Sequence, residues 1–206
     1  MYQKRKKSQA LQKRRNLAFW PRVCYSIRDA RTAHNNHSRG VTIMSIEKVR
    51  AYFKTWGIED RIREFDVSSA TVALAAQAVG CEEARIAKTL SFMVDGAPIL
   101  IVAAGDAKVD NPKYKHQFAA KAKMLTAAEA AELVGHAVGG VCPFAFNPGV
   151  KVYLDESLKR FETVFPACGS SNSAIELTIP ELERYSGYTA WVDVCKGWQA
   201  APAAEG

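Results

Sequence analysis

The sequence predicts a single α/β domain with a mixed β-sheet. Short apolar runs typical of strands alternate along the chain with segments of helical period. Two nearly all-apolar runs flank Asp95-Gly96, the strongest short-range signal for a β-hairpin, and such runs indicate a sheet covered on both faces. Neither a repeat nor a linker interrupts residues 44–196, so we predict one domain there.

The composition is that of an ordinary globular protein. Hydrophobic residues make up 48% and charged residues 24% of the chain, which is enough for a normal core. The longest apolar run, Pro98 to Ala104, is too short to span a bilayer, so neither a transmembrane helix nor a membrane partner is predicted. The five cysteines form no CxxC pair, and this odd, scattered set indicates reduced thiols in a cytoplasmic protein. Their spacing does not favour a zinc site even with His136, and no metal or cofactor is predicted.

Positive charge is concentrated at the N-terminus. The formal net charge is +7, but residues 1–43 hold 11 Lys and Arg and one acid, so they carry about +10 and the rest of the chain about −3. Lacking a sustained hydrophobic period, this basic extension is expected to be disordered. It is compatible with a nucleic-acid-binding arm, an organelle transit peptide, or translated upstream sequence with Met44 as the true start. The last is favoured because Met44-Ser45 opens the first well-formed element.

The domain is predicted over 44–198, with a frayed tail over 199–206. Its first helix begins at the cap Ser45 and ends at Gly57. The apolar face of that helix consists of Ile46, Val49, Phe53 and Trp56. Three elements then follow: a strand over 62–67 with Phe65 and Val67 on one side, a helix from its cap Ser69 to Gly80 with Val72, Ala75, Ala76 and Val79 inward, and helical turns over 82–87.

The hairpin strands are predicted over 89–94 and 97–103. Beyond them, Asn111 caps a short helix with Pro112 at its first position. The remaining elements are a short strand over 121–125, a helix from the capping box Thr126 and Glu129 to Gly135, a strand over 150–154, a helical turn from Asp155, a strand over 161–167, a tight polar loop over 168–172, a strand over 173–177, a helix from the capping box Thr178 and Glu181 to Gly187, and a strand over 189–194.

A glycine-rich loop, Gly139-Gly140-Val141-Cys142-Pro143-Phe144, lies between two of these elements. Gly-Gly lets a ligand approach the main chain, and Pro143 stiffens the exit. The loop could therefore present backbone N–H and C=O groups to a substrate, although a plain connecting turn has the same composition. The polar loop over 168–172 is similarly open to two interpretations, a hairpin connection or one wall of a pocket.

Few side chains suggest acid, base or nucleophile chemistry. The sequence contains no GxSxG, HExxH, P-loop or GxGxxG motif. His136 is interpreted as a surface histidine, and Asp155-Glu156 as a pair that favours a helix start. Asp106 and Asp110 bracket Lys108 and are expected to pair locally. Lys88 lies where a helical segment gives way to an apolar strand; it could hold an anionic or carbonyl-bearing ligand, or be solvated.

Five short motifs occur together in an order that resembles the YbaK/EbsC family, the free-standing relatives of the editing domain of bacterial prolyl-tRNA synthetases. Each motif alone is weak, but the set covers about residues 45–195 and is specific. The motifs are Ala87-Lys88-Thr89-Leu90, Gly105-Asp106 with Val109-Asp110, Gly139-Gly140-Val141-Cys142-Pro143-Phe144, Val152 to Leu158, and Gly169-Ser170-Ser171-Asn172.

The resemblance implies a strongly curved mixed sheet surrounded by helices, and hydrolysis of the ester of a mischarged aminoacyl-tRNA. The substrate would be tRNA for proline carrying a wrong small amino acid, with a prolyl-tRNA synthetase as a further partner. Water would attack with help from the tRNA 2′-hydroxyl and backbone groups of the GxxxP loop. The catalytic residues implied are Lys88, Gly139, Gly140 and Pro143. The substrate-binding residues implied are Phe65, Ser69, Thr71, Phe92, Asp106, Val141, Cys142, Gly169, Ser170 and Asn172.

Two points depart from a simple tRNA-editing enzyme. The domain's own charge of about −3 is low for a tRNA binder, so affinity is expected from a partner synthetase or from a local patch. The candidate patch consists of Lys113, Lys115, Lys121 and Lys123. The alternative to an enzyme is a non-catalytic tRNA- or nucleotide-binding module that uses the same pocket.

Overall fold

A hairpin of two long strands forms the centre of the fold. In the computed structural model, which describes residues 45–199, strands β2 (Ile86–Val94) and β3 (Ala97–Ala104) pair antiparallel from Val94 opposite Ala97 to Ala87 opposite Ala104. Asp95 and Gly96 both have positive φ, 48° and 78°, as a two-residue hairpin turn of type I′ requires. The predicted hairpin is therefore confirmed. The predictions for residues 1–43 and for 200–206 lie outside the described residues.

The hairpin is part of a mixed six-stranded sheet, in agreement with the prediction. The other strands are β1 (Arg63–Glu64), β4 (Lys108–Val109), β5 (Lys151–Asp155), β6 (Thr163–Pro166), β7 (Ser173–Ala174), β8 (Leu177–Thr178), β9 (Ala190–Val192) and β10 (Cys195–Lys196). The strand order of the six-stranded sheet is β8-β6-β2-β3-β5-β9. Strand pairs β2–β3 and β6–β8 are antiparallel, whereas β2–β6, β3–β5 and β5–β9 are parallel. Two short antiparallel pairs, β1–β7 and β4–β10, lie outside this sheet.

Helices surround the sheet. They are α1 (Ser45–Lys54), α2 (Val72–Val79), α3 (Asn111–Phe118), α4 (Ala127–Glu129, continued as a π-helical stretch over Ala130–Val134) and α5 (Ile179–Ser186). Three 3-10 turns span Glu59–Arg61, Glu83–Arg85 and Glu156–Arg160. No helix within 45–199 is long and apolar enough to cross a membrane.

The core lies on both faces of β3. Leu100 to Ala104 are all fully buried, which explains why this strand is apolar throughout rather than alternating. From α1, Val49 and Phe53 enter the core, and the Phe53 ring lies 4.8 Å from that of Phe144, just beyond the glycine loop. Packing of α1 therefore connects the first element of the domain to the loop that the sequence singles out.

Both predicted capping boxes are present. Thr126 and Thr178 each accept a hydrogen bond from the main chain of the glutamate three residues later, and each glutamate accepts one from the main chain of its threonine. The helices that follow end at Gly135 and Gly187, both in the left-handed conformation.

Two predicted helix caps are wrong by one or two residues. Helix α2 is capped by Thr71, whose hydroxyl accepts the Leu74 N–H, and not by Ser69. Helix α3 is capped by Asp110, whose carboxylate accepts the Lys113 N–H at 3.0 Å, so Asn111 is already helical. Several good capping residues stand close together at both sites, and composition alone does not choose among them.

Some predicted apolar positions and elements also differ. The strand predicted over 62–67 is reduced to β1, and Val67 from that segment is 61% exposed. Trp56, predicted on the apolar face of the first helix, is 38% exposed. The helical turns predicted over 82–87 end at Arg85, so that Lys88 lies inside β2 and not at its start. The segment 121–125 forms one bridge to the sheet and no full strand. In each case the conformation of a short polar segment is decided by contacts with residues distant in sequence.

Asp155 is a fully buried carboxylate at the end of β5. It caps the following 3-10 turn by accepting the Ser157 N–H, and its second oxygen accepts the Val194 N–H, both at 3.0 Å. The residue therefore does more than favour a helix start, because it also connects β5 to the chain that leads into β10.

We expect Asp155→Ala to lower the free energy of unfolding by about 2–4 kcal/mol, since two buried N–H groups lose their acceptor. Urea denaturation measures this loss. The matched control is Glu156→Ala, which removes only a partly exposed ion pair with Lys159 and should cost less than about 1 kcal/mol. Equal losses for the two variants would contradict the role given to Asp155.

Candidate functional site

Strands β2 and β6 pair over only two residues, and this pairing stops one residue before Lys88. The parallel register runs through Ile86 opposite Phe165 and ends at Ala87 opposite Pro166. Farther along, the same edge of β2 is covered again, because the Met93 N–H donates to the carbonyl of Lys123 at 2.9 Å. Among the described strands, none pairs with Lys88 to Leu90 on this edge. The chain leaving β6 at Pro166 continues into the polar loop over 168–172.

The polar loop is held by close approach of main chains. Gly169 has φ +87°, and a Cβ there would lie 2.7 Å from the backbone of Ser45 at the start of α1. The Ser170 hydroxyl donates to the hydroxyl of Ser173 at 2.7 Å. Only glycine fits at position 169, so the loop is pressed against the first helix.

A third segment, 65–71, is hydrogen-bonded to the polar loop. The Phe65 N–H donates to the carbonyl of Asn172 at 2.8 Å, and the Asn172 amide donates back to the carbonyl of Phe65 at 2.9 Å. The Ser69 N–H and hydroxyl both donate to the carbonyl of Ser171, at 2.6 and 3.2 Å. Ser69 is thus used to join two loops, which explains why it does not cap α2.

The glycine-rich loop, whose residues Gly139 to Pro143 form the GxxxP motif, packs directly onto the segment 65–71 and the polar loop over 168–172. A Cβ on Gly140 would lie 2.8 Å from backbone atoms of Gly169 and Ser170. Gly139 has φ +90°, and a Cβ there would lie 3.2 Å from the Cβ of Ala70 and 3.3 Å from that of Ser171. Three loops that are far apart in sequence therefore meet at Gly139 and Gly140. The sequence motifs alone could not show this contact.

Lys88 follows Ala87, the last residue of β2 that pairs with β6, and its side chain is half-buried. Its ammonium donates to the carbonyl of Gly105 at 2.9 Å and also to that of Ala107. Burial lowers the pKa of Lys88, while the nearby thiol of Cys195 and the carboxylate of Asp106 act in the opposite direction. An ammonium has three N–H donors, so two hold the side chain in place and one remains for a ligand.

Two of the predicted substrate-binding residues have other partners. Asp106 forms a two-bond ion pair with Arg160, at 2.6 and 3.0 Å, and not the local pair with Lys108 that the sequence suggested. Phe92 is buried in the core, with its ring 5.1 Å from that of Tyr114. Asp110, likewise expected to pair locally, binds Lys196 instead. A direct substrate contact by Asp106 or Phe92 stays a prediction.

The two thiols of the loops are buried and uncharged. Burial raises the pKa of Cys142 to about 12 and that of Cys168 well above its usual value. A nucleophile or metal ligand would have to be the thiolate, so neither side chain is activated for such a role. Within residues 45–199 no group of three or more His, Cys, Asp and Glu side chains could hold a metal ion.

His136 is not the surface residue that the sequence suggested, because it is fully buried. Its Nε2 lies 2.9 Å from the carbonyl of Phe144, and a carbonyl only accepts, so Nε2 carries the proton. Nδ1 is buried and has no hydrogen-bond partner within 45–199. The side chain ties the two ends of the loop over 136–144 together. The position next to Gly135 was the only sequence signal for this role.

Burial lowers the pKa of His136, the Phe144 carbonyl opposes this, and the positive charge of Lys48 lowers it further. The unfolded chain then binds a proton at His136 more readily than the folded chain does. The contribution of neutral His136 to the free energy of unfolding is therefore complete above about pH 6.5, and it is lost as the pH falls through the lower pKa of the folded state. Each pKa unit of lowering corresponds to about 1.4 kcal/mol.

We expect wild type to lose more unfolding free energy between pH 7.5 and 5.5 than His136→Gln, whose amide donates to Phe144 without titrating. Urea denaturation at the two pH values measures the difference. His116→Gln, at an exposed position, is the control and should keep the wild-type slope. A His136→Gln slope equal to that of wild type would show that His136 does not control acid stability.

Comparisons with known proteins agree with this architecture. The model of the aminoacyl-tRNA editing domain family matches residues 67–185. The protein YwhH of Bacillus subtilis (strain 168), whose function is uncharacterized, is 55% identical over 157 residues, which are 76% of this chain and 100% of YwhH. A crystal structure of a candidate trans-editing enzyme for prolyl-tRNA synthetase superposes with a TM-score of 0.67 at 30% identity, over 74% of this chain and 98% of that one.

Proline–tRNA ligases are similar over a smaller part of their length. The ligase of Halalkalibacterium halodurans is 31% identical over 104 residues, which are 50% of this chain and only 18% of the ligase. The likeness thus concerns one segment of a much larger enzyme. Together with the family model, which covers more than half of the chain, these relatives show that the chain belongs to the aminoacyl-tRNA editing domain family.

Proposed function

We propose that this protein is a trans-editing hydrolase that deacylates a mischarged aminoacyl-tRNA. The observation that carries the proposal is the meeting of three loops at Gly139 and Gly140, one of which leaves β6 just after its pairing with β2 at the residue before Lys88. The substrate we infer is tRNA for proline esterified with a wrong small amino acid. The ligase relatives and the trans-editing neighbour support tRNA for proline, and a prolyl-tRNA synthetase is the further partner.

The absence of an activated side chain at the junction supports direct attack by water. The Cys142 thiol is neutral because its pKa is about 12, and the unprotonated Nδ1 of His136 is buried, out of reach of a substrate. Neither can serve as nucleophile or general base in this arrangement. The reaction is then left to water, to the 2′-hydroxyl of the tRNA and to main-chain groups.

In the proposed reaction the water oxygen bonds to the acyl carbon, and the bond from that carbon to the ribose oxygen breaks. The water supplies a proton to the leaving ribose hydroxyl by way of the 2′-hydroxyl, and the products are the free amino acid and the uncharged tRNA. Negative charge develops on the carbonyl oxygen in the transition state. N–H groups of the GxxxP loop are the donors proposed to stabilise it, because the close packing of Gly140 on Gly169 fixes them before substrate arrives.

Lys88 is proposed to hold the substrate end. Its two bonds to Gly105 and Ala107 fix the ammonium, and the described residues give its third N–H no further acceptor. A fixed donor helps because orientation of the ester against water accounts for a large share of the rate.

Selectivity is proposed to follow from size. A pocket walled by main chain at glycine contacts cannot widen without moving three loops, so it would admit small side chains and exclude larger ones. Val141, half-buried in the GxxxP loop, and Phe65, half-buried in the segment 65–71, are the side chains proposed to limit its volume.

The deciding experiment is to incubate the full chain with tRNA for proline charged with alanine, cysteine, serine, threonine or proline, and to follow loss of the ester. We expect selective hydrolysis of one mischarged species and survival of the prolyl ester. Hydrolysis of none, by a folded protein that still binds the tRNA, would instead favour the non-catalytic binding module.

Lys88→Ala should lower kcat/KM for the preferred ester by about 100-fold or more, because the substrate end is no longer oriented. Single-turnover deacylation measures the loss, and circular dichroism checks that the fold is intact. Lys108→Ala removes the same charge from an exposed neighbouring position and should change the rate less than about twofold. A similar loss in both variants would mean that overall charge matters and not the position of Lys88.

A further inference from the structure

A second feature lies on α3 and the chain that follows it, which is hydrogen-bonded to β2 at Ser91 and Met93. A cavity of about 580 Å³ opens there, lined by Asn111, Pro112, Lys115, Lys121 and Ala122. Its floor is apolar, its only charged side chains are two lysines, and it contains no acid. Such a surface matches a flat base together with its phosphate, that is, one nucleotide of an RNA strand.

The four-lysine patch expected from the sequence is divided in the structure. Lys113 is bound to Asp193, at 2.8 and 3.0 Å, and also donates to the carbonyl of Cys195. Lys123 is exposed but does not line the cavity. Lys115 and Lys121 are exposed and form no ion pair within the described part of the chain. These two ammonium groups are therefore the ones available to an anion in the cavity.

The geometry that brings Lys115 and Lys121 together is built into the fold. Ala119 has φ +52°, which ends α3 and turns the chain back along it. The returning segment is then fastened to β2, because the Leu125 N–H donates to the carbonyl of Ser91 at 3.0 Å. The cavity is thus held between a helix and a tethered segment, and its two lysines are positioned before any ligand binds.

The cavity is also within reach of Lys88. The Lys88 ammonium donates to the carbonyl of Ala107, and Asn111 of the cavity follows four residues later. An extended chain covers at most about 3.6 Å per residue, so Ala107 and Asn111 lie within about 14 Å of each other, a span of about two to three nucleotides of single-stranded RNA. A tRNA whose acylated end is at Lys88 would carry its neighbouring nucleotides towards α3.

We propose that Lys115, Lys121 and the apolar floor between them bind the RNA strand next to the acylated end of the tRNA. This inference rests on the proposed function for its substrate and adds the surface by which a domain of net negative charge holds a polyanion. Binding there is mainly to phosphate, so it contributes affinity and little sequence discrimination.

The test is binding of uncharged tRNA for proline to the full chain, followed by fluorescence anisotropy between 50 and 200 mM salt. Lys115→Ala/Lys121→Ala should bind about tenfold more weakly at low salt. Its plot of log affinity against log salt should be shallower by about 1.5, since each lost phosphate contact removes about 0.7–0.9 from the slope. The control, Lys54→Ala/Lys151→Ala, removes the same charge at exposed positions on other elements and should keep the wild-type slope.

A slope and affinity for the Lys115/Lys121 variant equal to those of the control variant would overturn the proposal. Because the tRNA is uncharged, this measurement decides the role of the surface even if the chain hydrolyses no ester. In deacylation of charged tRNA the same variant should raise KM and leave kcat within about twofold, whereas a fall in kcat alone would contradict a docking role.

Discussion

The whole site depends on the short pairing of β2 with β6. Two residue pairs join these parallel strands, and beyond Ala87 and Pro166 they separate. The separation leaves one edge of β2 without a described strand partner at Lys88, and the chain leaving β6 continues as a loop instead of extending the sheet. The carboxyl end of β6 thus lies at the beginning of β2, and loops that follow the carboxyl ends of parallel strands commonly form ligand sites.

Close contact between main chains is the second consequence of that separation. Gly140 rests on Gly169 and Ser170, while Gly169 itself rests on the start of α1, so that backbone lies against backbone in three layers. A methyl group at either glycine would force these layers apart. The loops are therefore rigid where they meet, and rigid N–H groups are the kind of donor that can stabilise developing charge without rearranging. The neutral thiol of Cys142 and the buried ring of His136 fill the space behind them.

The sequence predicted the regular elements better than the connections between them. The hairpin at Asp95-Gly96 and the capping boxes at Thr126 and Thr178 follow from local rules, and the structure confirms them. Ser69 and His136 were misjudged because their partners, Ser171 and Phe144, are defined by loop packing and not by local pattern. The motif order predicts that Lys88 and the two glycines share one site, and the contact between the glycine loops that the structure shows could not be read from local pattern.

Charge and site geometry are separate properties in this chain. Paired carboxylates neutralise most of the Arg side chains of the domain, as at Arg61 with Glu181 and at Arg160 with Asp106. Each such pair neutralises a positive charge on the surface, so the domain is unsuited to binding RNA phosphates over a broad area. We propose that tRNA binds this domain where lysines escape pairing at a concave surface, as Lys115 and Lys121 do. Local exposure of these two ammonium groups, and not net charge, would then direct an RNA end towards the loops.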